Sequence, residues 1–443
     1  MFDTIIIGAG IAGLAAGEYL HNHSQDNFII LESFHKIGGR VQTIEFANKT
    51  FSTGPGWVHG KEGNPIFDIL SDMKISMKLA DSMSPGSYFV YDTIESKDVT
   101  ESYIERRSAI NDMMETITEK LHNEILDPEK TFEDLLSENS KLFIKLTDFD
   151  RTVIFSCLEL YMGAPLNEIS GATQFQNDEI YHLDEGIINY RILDPFGVPK
   201  LIKYLSRNFE DKIHLNCKVK SIDWQNDSNY VVVMLADGQQ FVGKNVIITV
   251  QSDLLAKGTI TFQPKLPDEK LIAWTHVPAV NYCRIFAKFP RKFWPDNEWF
   301  LPILKDVEPF NELLIWQNGY KQNLCSEDDY ILICHYTSGW KRKSCRFDVD
   351  KKQLIQLVTE AMRNIFPNDY CEPTEVQFVS HLNNSRFAGS FSVPAPGMTK
   401  SDIEQLRQSV GPLHFAGESV IVELIGTMQA AYLSGQNAAR NIL

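Results

Sequence analysis

Short apolar runs alternate along this chain with longer stretches in which apolar residues recur at helical spacing. Thr4-Ile5-Ile6-Ile7 reads as a buried strand that runs straight into Gly8-Ala9-Gly10-Ile11-Ala12-Gly13, and the small residues after it predict a helix. Phe28 to Leu31 is a second apolar run, and it ends on Glu32. Short β-rich runs return at Ile213-His214-Leu215, Val219 to Trp224, Tyr230 to Leu235 and Val246 to Val250, with an Asp237-Gly238 turn among them. Near the far end, Leu413-His414-Phe415 predicts a strand leading to Glu418, and Gly426 opens a closing helix. Between these blocks, residues 76–205 are largely helical in character, with a polar, charge-rich stretch from Ser96 to Ser140. Within 261–384, Glu312 to Gln317 and Tyr330 to Tyr336 read as strands and Lys351 to Ile365 as an amphipathic helix. No internal repeat or low-complexity segment interrupts the pattern.

The first forty residues carry a dinucleotide-binding fingerprint. Gly8 makes the tight turn, Gly10 lets backbone approach a pyrophosphate, and Gly13 lets helix pack on strand. Phosphates would sit on the helix N-terminus, against the backbone of Ala9 and Ile11, where free N–H groups and the helix dipole favour anions. Glu32, with Ser33 beside it, stands where the acid that binds a ribose hydroxyl is expected. The residues after Glu32 select the nucleotide. Gly38-Gly39-Arg40 and then Gly54-Pro55-Gly56-Trp57-Val58-His59-Gly60 offer more backbone clearance, and a fixed cation, than a nicotinamide coenzyme requires. FAD fits better. The N-terminus of the closing helix, at Thr427, would face the electron-rich pyrimidine edge of a reduced flavin, close to Glu418.

Beyond these motifs the chain resembles the flavin-dependent amine oxidases, and the likeness extends from Met1 to Leu443. It includes Lys257 to Pro267, Arg284 to Trp294 and Ala388-Gly389-Ser390-Phe391-Ser392. Within the family, Trp57-Val58-His59-Gly60 followed by Gly63-Asn64-Pro65-Ile66 is most similar to the spermine and polyamine oxidases. The resemblance implies an α/β architecture: a Rossmann-like FAD-binding domain of residues 1–75, 206–260 and 385–443, interleaved with an α+β substrate-binding domain of residues 76–205 and 261–384. It also implies an oxidoreductase that takes hydride from an amine, with dioxygen as acceptor. FAD is expected to be non-covalent, because Ser390 stands where monoamine oxidases carry the tethering cysteine.

The same resemblance assigns roles. The residue matching Val219 gives backbone contacts to the adenine. His59 lies beside the substrate, and Phe391 and Thr427 occupy two positions flanking it, with threonine opening a site that tyrosine narrows in monoamine oxidases. Arg284 stands where the family usually carries a lysine that holds a water at flavin N5. It could hold the same water, anchor a substrate carboxylate as in an amino-acid oxidase, or mark a weakened oxidase, down to a non-catalytic FAD-binding module. Glu159, Asp178 and Glu179 are candidates for a distal ammonium, although such acids are mostly solvated surface. Two further departures are the run Asn383-Asn384-Ser385-Arg386-Phe387 before Phe391, and Thr249-Val250-Gln251-Ser252, which lacks the usual proline.

Composition changes this picture little. The 443 residues exceed what one core sustains, so two domains are expected. A formal charge of −16 argues against nucleic acid as a partner. It favours a cationic small molecule only weakly, since solubility explains it as well. Seven cysteines without a C-x-x-C pair imply reduced thiols in a cytoplasm, with no disulfide frame and no metal site. No apolar run approaches a membrane span, and the chain stops just after its last helix, so a soluble protein without a leader or anchor is expected. The oligomeric state is left open.

Overall fold

A computed structural model of the chain describes residues 1–79, 87–140, 147, 150–176, 189–224, 230–303, 315–339, 341, 348–382 and 387–443. The first of its two large sheets has eight strands and is centred on β1 (Phe2–Ile7). β1 pairs in parallel with β2 (Phe28–Leu31) on one side and with Gln240–Ile248 on the other. Ile213–His214 continues the sheet beyond β2, and Leu413–Phe415 pairs in parallel with Gln240–Ile248. Both faces of this sheet are covered, which is why its central strands are apolar without alternation. Ile5, Ile7, Ile29 and Leu31 pack with Trp274 and Phe415, whereas Ile6 and Ile30 pack with helix α1 (Ile11–Asn22).

α1 lies against the closing helix Met428–Arg440, and the two approach too closely for side chains at the crossing. A Cβ on Gly435 would sit 2.1 Å from the Ala12 carbonyl oxygen, and one on Gly13 would sit 1.9 Å from that of Gly8. Gly435 therefore serves the helix crossing, whereas Gly13, the third glycine of the fingerprint, lets α1 pack against the Gly8 turn and brings its N-terminus up to the end of β1.

The second sheet has seven strands. Tyr282–Lys288 runs antiparallel between Ile331–Thr337 and Glu375–Ser380. Successive side chains on a strand point to opposite faces. Cys283, Ile285 and Ala287 accordingly pack with Val358, Met362 and Ile365 of the helix Lys351–Ile365, which matches its expected span and is capped by Asp350 accepting from the Gln353 N–H. Tyr282 and Arg284 are left facing the other way, into the space between the sheets.

The described residues of the segment 76–205 are largely helical, as the sequence pattern indicates, but they also contribute short strands. The segment holds the helix Thr100–Leu121, but Tyr88–Asp92 and Lys97–Asp98 join the second sheet, and Met77–Leu79 and Asn189–Ile192 form a three-stranded sheet with Trp57–His59. Strands of two to five residues carry too few alternations to show a period, and only distant partners make them strands. Likewise Thr261–Gln263 belongs to the first sheet, by parallel pairing with Val219–Asp223, although it lies past residue 260. The strand expected at Val246 begins earlier, at Gln240, and the one expected from Glu312 is described from Ile315. No helix among the described residues is long and apolar enough to cross a membrane.

Candidate active site

A cavity of about 830 Å³ joins the end of β1 to the inner face of the second sheet. Its nucleotide end fits a dinucleotide. α1 begins at Gly10 without a side-chain cap and without an acid in its first turn, and a Cβ on Gly10 would meet nothing within 4 Å. A phosphate therefore finds both space and the positive end of the helix dipole there. The Glu32 carboxylate is held in place by the Ala9 N–H (2.8 Å), the Phe34 N–H (2.9 Å) and the Ser33 hydroxyl (3.2 Å). A carboxylate accepts about four hydrogen bonds, so room for a further donor remains. The Gly38 N–H donates to the Ala9 carbonyl at 2.8 Å, locking the second glycine pair onto the first.

Farther in, Arg40 donates to Glu418 at 2.8 Å and to the Ser390 carbonyl at 3.1 Å. Thr427 caps the closing helix: its hydroxyl accepts from the Ala430 N–H at 3.0 Å and donates to the Leu424 carbonyl at 2.7 Å. Gln251, in the segment that lacks the usual proline, accepts from the Ala388 N–H at 3.0 Å and so supports the turn that leads to Phe391.

On the substrate side, the half-buried Arg284 guanidinium donates to the carbonyls of Ser52 (2.7 Å) and Gly54 (3.3 Å). Tyr282 projects from the same strand face. Its hydroxyl donates to His335 Nδ1 at 2.9 Å, and His335 Nε2 donates to Gln317 Oε1 at 3.0 Å. Burial, reinforced by the Arg284 charge, pushes His335 far below the usual imidazole range, so the relay is neutral. The Tyr282 and Phe391 rings stand 6.0 Å apart, inclined at 44°. Phe391 can lie there because Gly163, with φ +83°, has no Cβ; one would sit 2.3 Å from the Phe391 ring. His59 donates from Nδ1 to Asn189 Oδ1 at 2.9 Å and meets Tyr161 edge-on at 6.4 Å. Burial lowers its pKa, which leaves a neutral ring with Nε2 as an acceptor. His381, held down to about 4 by burial and then by Arg40 and Arg284, is neutral as well.

Most residues singled out in the sequence converge on this cavity. Gly8, Gly10, Ile11, Glu32, Ser33, Gly38, Gly39, Arg40, Gly54, Pro55, Gly56, Trp57, Glu418 and Thr427 line it, together with His59, Arg284 and Phe391. Ala9 and Gly13 act from behind the wall, through the Glu32 bond and the helix contact. Val219 is not part of the wall; its side chain is buried in the core of the first sheet with Ile222 and Val233.

Glu159 requires correction as an ammonium-binding candidate. It is buried outside the cavity wall, with Oε1 accepting from the Leu166 N–H at 3.1 Å and Oε2 unpartnered among the described residues. Burial pushes its pKa up to about 8, so at neutral pH it is a neutral acid with no charge to offer. Asp178, Glu179 and the run Asn383 to Arg386 lie outside the described residues.

Sequence reasoning missed Tyr282, His335, Arg107 and Arg191, all of which line the cavity. The two-residue period from Arg284 could have found Tyr282; Arg191 lies on a strand with no local signature. Among the described residues of the cavity beyond its nucleotide end, Lys78, Arg107, Arg191 and Arg284 face a single acid, Glu298. Glu298 is engaged by Lys78 at 3.4 Å and by Gln322 at 2.7 Å. No group of three or more His, Cys, Asp or Glu among the described residues is arranged to hold a metal ion.

Comparison with known proteins agrees with this geometry. Residues 11–443 match the family described as flavin containing amine oxidoreductase. The chain is 26% identical to polyamine oxidase 7 of Oryza sativa subsp. japonica, over 97% of this chain and 92% of that one. It is 25% identical to polyamine oxidase 1 of Zea mays (99% and 90% covered) and 25% identical to lysine-specific histone demethylase 2 of Homo sapiens (99% and 53% covered). Its fold is similar to that of cyclohexylamine oxidase from Brevibacterium oxydans IH-35A, with a TM-score of 0.76 at 18% identity, over 100% of this chain and 98% of that one.

Proposed function

Because the chain belongs to the flavin-containing amine oxidoreductase family, and so oxidises CH–NH groups with FAD, we propose that its substrate amine is held against the flavin between Phe391 and Tyr282. The observation that carries this reading is one continuous cavity running from the uncapped start of α1 to that aromatic pair. When bound, FAD would supply the hydride acceptor for the carbon next to nitrogen and the route of the electrons to dioxygen, so that amine and dioxygen give hydrogen peroxide and an imine that water hydrolyses. The protein supplies orientation. Tyr282 is fixed by His335, and Phe391 by the space at Gly163. Neutral His59 offers Nε2 as an acceptor for a substrate N–H, and Arg284 gives a permanent positive charge beside the Ser52–Gly54 loop.

Similarity to the two polyamine oxidases supports an elongated polyamine, and Thr427 in place of a bulky aromatic leaves room for one. The charges of the cavity beyond its nucleotide end favour a second reading, an amine that is not a polycation, because four cations and one acid among the described residues there repel a chain of ammonium groups. Arg284 is a poor carboxylate anchor in that reading, since backbone carbonyls already occupy its fork. Anaerobic mixing of the purified flavoprotein with spermine, arylalkyl amines and amino acids tests the proposal. Bleaching of the flavin by at least one amine is expected. A flavin that no amine bleaches would leave an FAD-binding module in place of an oxidase.

A further inference from the structure

We propose that the guanidinium edge of Arg191 receives a carboxylate carried by the amine substrate. This rests on the reading of the cavity as the amine site and names the substrate class that site takes: amino-carboxylates.

Arg191 sits on the middle strand of the three-stranded sheet, directly opposite Trp57 on one neighbour and Lys78 on the other. It is 5% exposed, lines the cavity, and lies 6.0 Å from the Trp57 ring. Nε and Nη2 are both buried, and both lack a hydrogen-bond partner among the described residues. These two nitrogens form one edge of the guanidinium, the edge that grips a carboxylate with two parallel bonds. The same chain displays the filled arrangement elsewhere. Arg106 uses its Nε and Nη2 to hold the two oxygens of Asp150, each at 2.6 Å. Arg191 lines the cavity, and the same edge of its guanidinium carries no described acid.

Nearby groups do not supply the missing acceptor. Glu298 acts on Arg191 through its charge, yet its own oxygens are bonded to Lys78 and Gln322. Lys78 and Arg107 add two more positive charges to the same wall. Buried polar groups are normally hydrogen-bonded, and a buried, unpartnered charged donor pair on a cavity-lining residue marks a place where a ligand completes the bonding once the side chain turns to meet it. Trp57 and Arg191 line the same cavity as Tyr282 and Phe391, so an anion on Arg191 would share the cavity that receives the amine.

The test uses the FAD-loaded protein, with Arg191→Gln and Arg191→Lys as variants and two measurements. In the first, 3-methylbutanoate is titrated and its binding read from perturbation of the flavin absorbance. In the second, leucine and phenylalanine are compared under anaerobic conditions with 3-methylbutylamine and phenethylamine, their counterparts without the carboxylate. The wild type should bind the carboxylate, and should show an apparent Kd about tenfold or more lower for each amino acid than for its amine. Arg191→Gln should abolish that ratio, and Arg191→Lys should restore part of it. The proposal is overturned by a wild type with no preference, by a preference that survives Arg191→Gln, or by an Arg191→Gln protein that loses its FAD. If no amine of either kind bleaches the flavin, amine oxidation fails as a reading, and the carboxylate titration still decides the role of Arg191.

Discussion

Arg40 and Glu418, 378 residues apart in sequence, meet in an ion pair of 2.8 Å on the wall of the cavity. Glu418 also accepts from the Ser392 hydroxyl at 2.9 Å and from the Gly426 N–H at 3.1 Å, while Arg40 reaches the Ser390 carbonyl. One buried carboxylate thus joins the second glycine pair, the strand bearing Phe391 and the start of the closing helix. Charge-assisted bonds to fixed partners make such a joint rigid.

Arg40→Ala is therefore expected to lower both stability and FAD content. Each lost charged hydrogen bond costs about 1.5–3 kcal/mol. Glu32→Ala should weaken FAD retention through the ribose region, while His59→Ala keeps its flavin and changes turnover. The flavin-to-protein absorbance ratio after gel filtration checks this, and equal flavin loss in all three variants would remove the distinction.

FAD should come away intact when the protein is precipitated by heat or acid. Ser390 stands beside Phe391 with its hydroxyl donating to the Tyr282 carbonyl at 2.9 Å, and it cannot form a thioether. Yellow colour retained in the pellet after washing in denaturant would contradict a non-covalent cofactor.

Gly163→Ala should slow flavin reduction much more than it lowers FAD content. The new Cβ would fall 2.3 Å from the Phe391 ring, at a backbone φ of +83° that side chains rarely adopt. Left-handed backbone costs a non-glycine residue on the order of 1–2 kcal/mol before any clash. Single-turnover reduction reads the effect. Adding Phe391→Ala should remove the clash, though not the backbone strain, and should not restore the rate, and unimpaired reduction in Gly163→Ala would show that Phe391 has no part in orienting the amine.

Arg284→Lys exchanges a planar fork for a point charge that cannot span both the Ser52 and Gly54 carbonyls. Reoxidation of the flavin by dioxygen should change more than its reduction by amine, and stopped-flow traces separate the two steps. If the outcome is instead a raised apparent Kd confined to carboxylate-bearing substrates, the anion anchor belongs at Arg284 rather than Arg191.

Glu159 gives a pH signature. Its carboxyl titrates at about 4.3 when unfolded and at about 8 in the fold. The folded state holds the proton more tightly, so the stability from Glu159 is full below the unfolded pKa and is lost as pH rises through about 8. Wild-type Tm should fall from pH 5 to pH 9 with a component that Glu159→Gln removes. At roughly 1.4 kcal/mol per pKa unit, the upper bound is on the order of 5 kcal/mol. Parallel Tm profiles for the two proteins would refute it.

The nucleotide end of the cavity was legible because its requirements are local. A turn at Gly8, an uncapped helix start at Gly10, close packing at Gly13 and an acid at the end of β2 each act within a few residues of the chain, so their spacing survives in the sequence. The helix Lys351–Ile365 was legible because its apolar stripe recurs at helical spacing within one segment; it covers one face of the second sheet. The charge of the substrate wall was not legible. Lys78 and Arg191 meet because strands of three and four residues pair across more than a hundred positions, and no periodicity marks so short a strand. Glu159 reads as a surface acid until burial is known, since only the packed environment moves its pKa. The sequence by itself determined the cofactor, the family and the layers that carry them. Tertiary structure alone decided which cations face the substrate, because burial and facing are set by distant partners and leave no trace in local order.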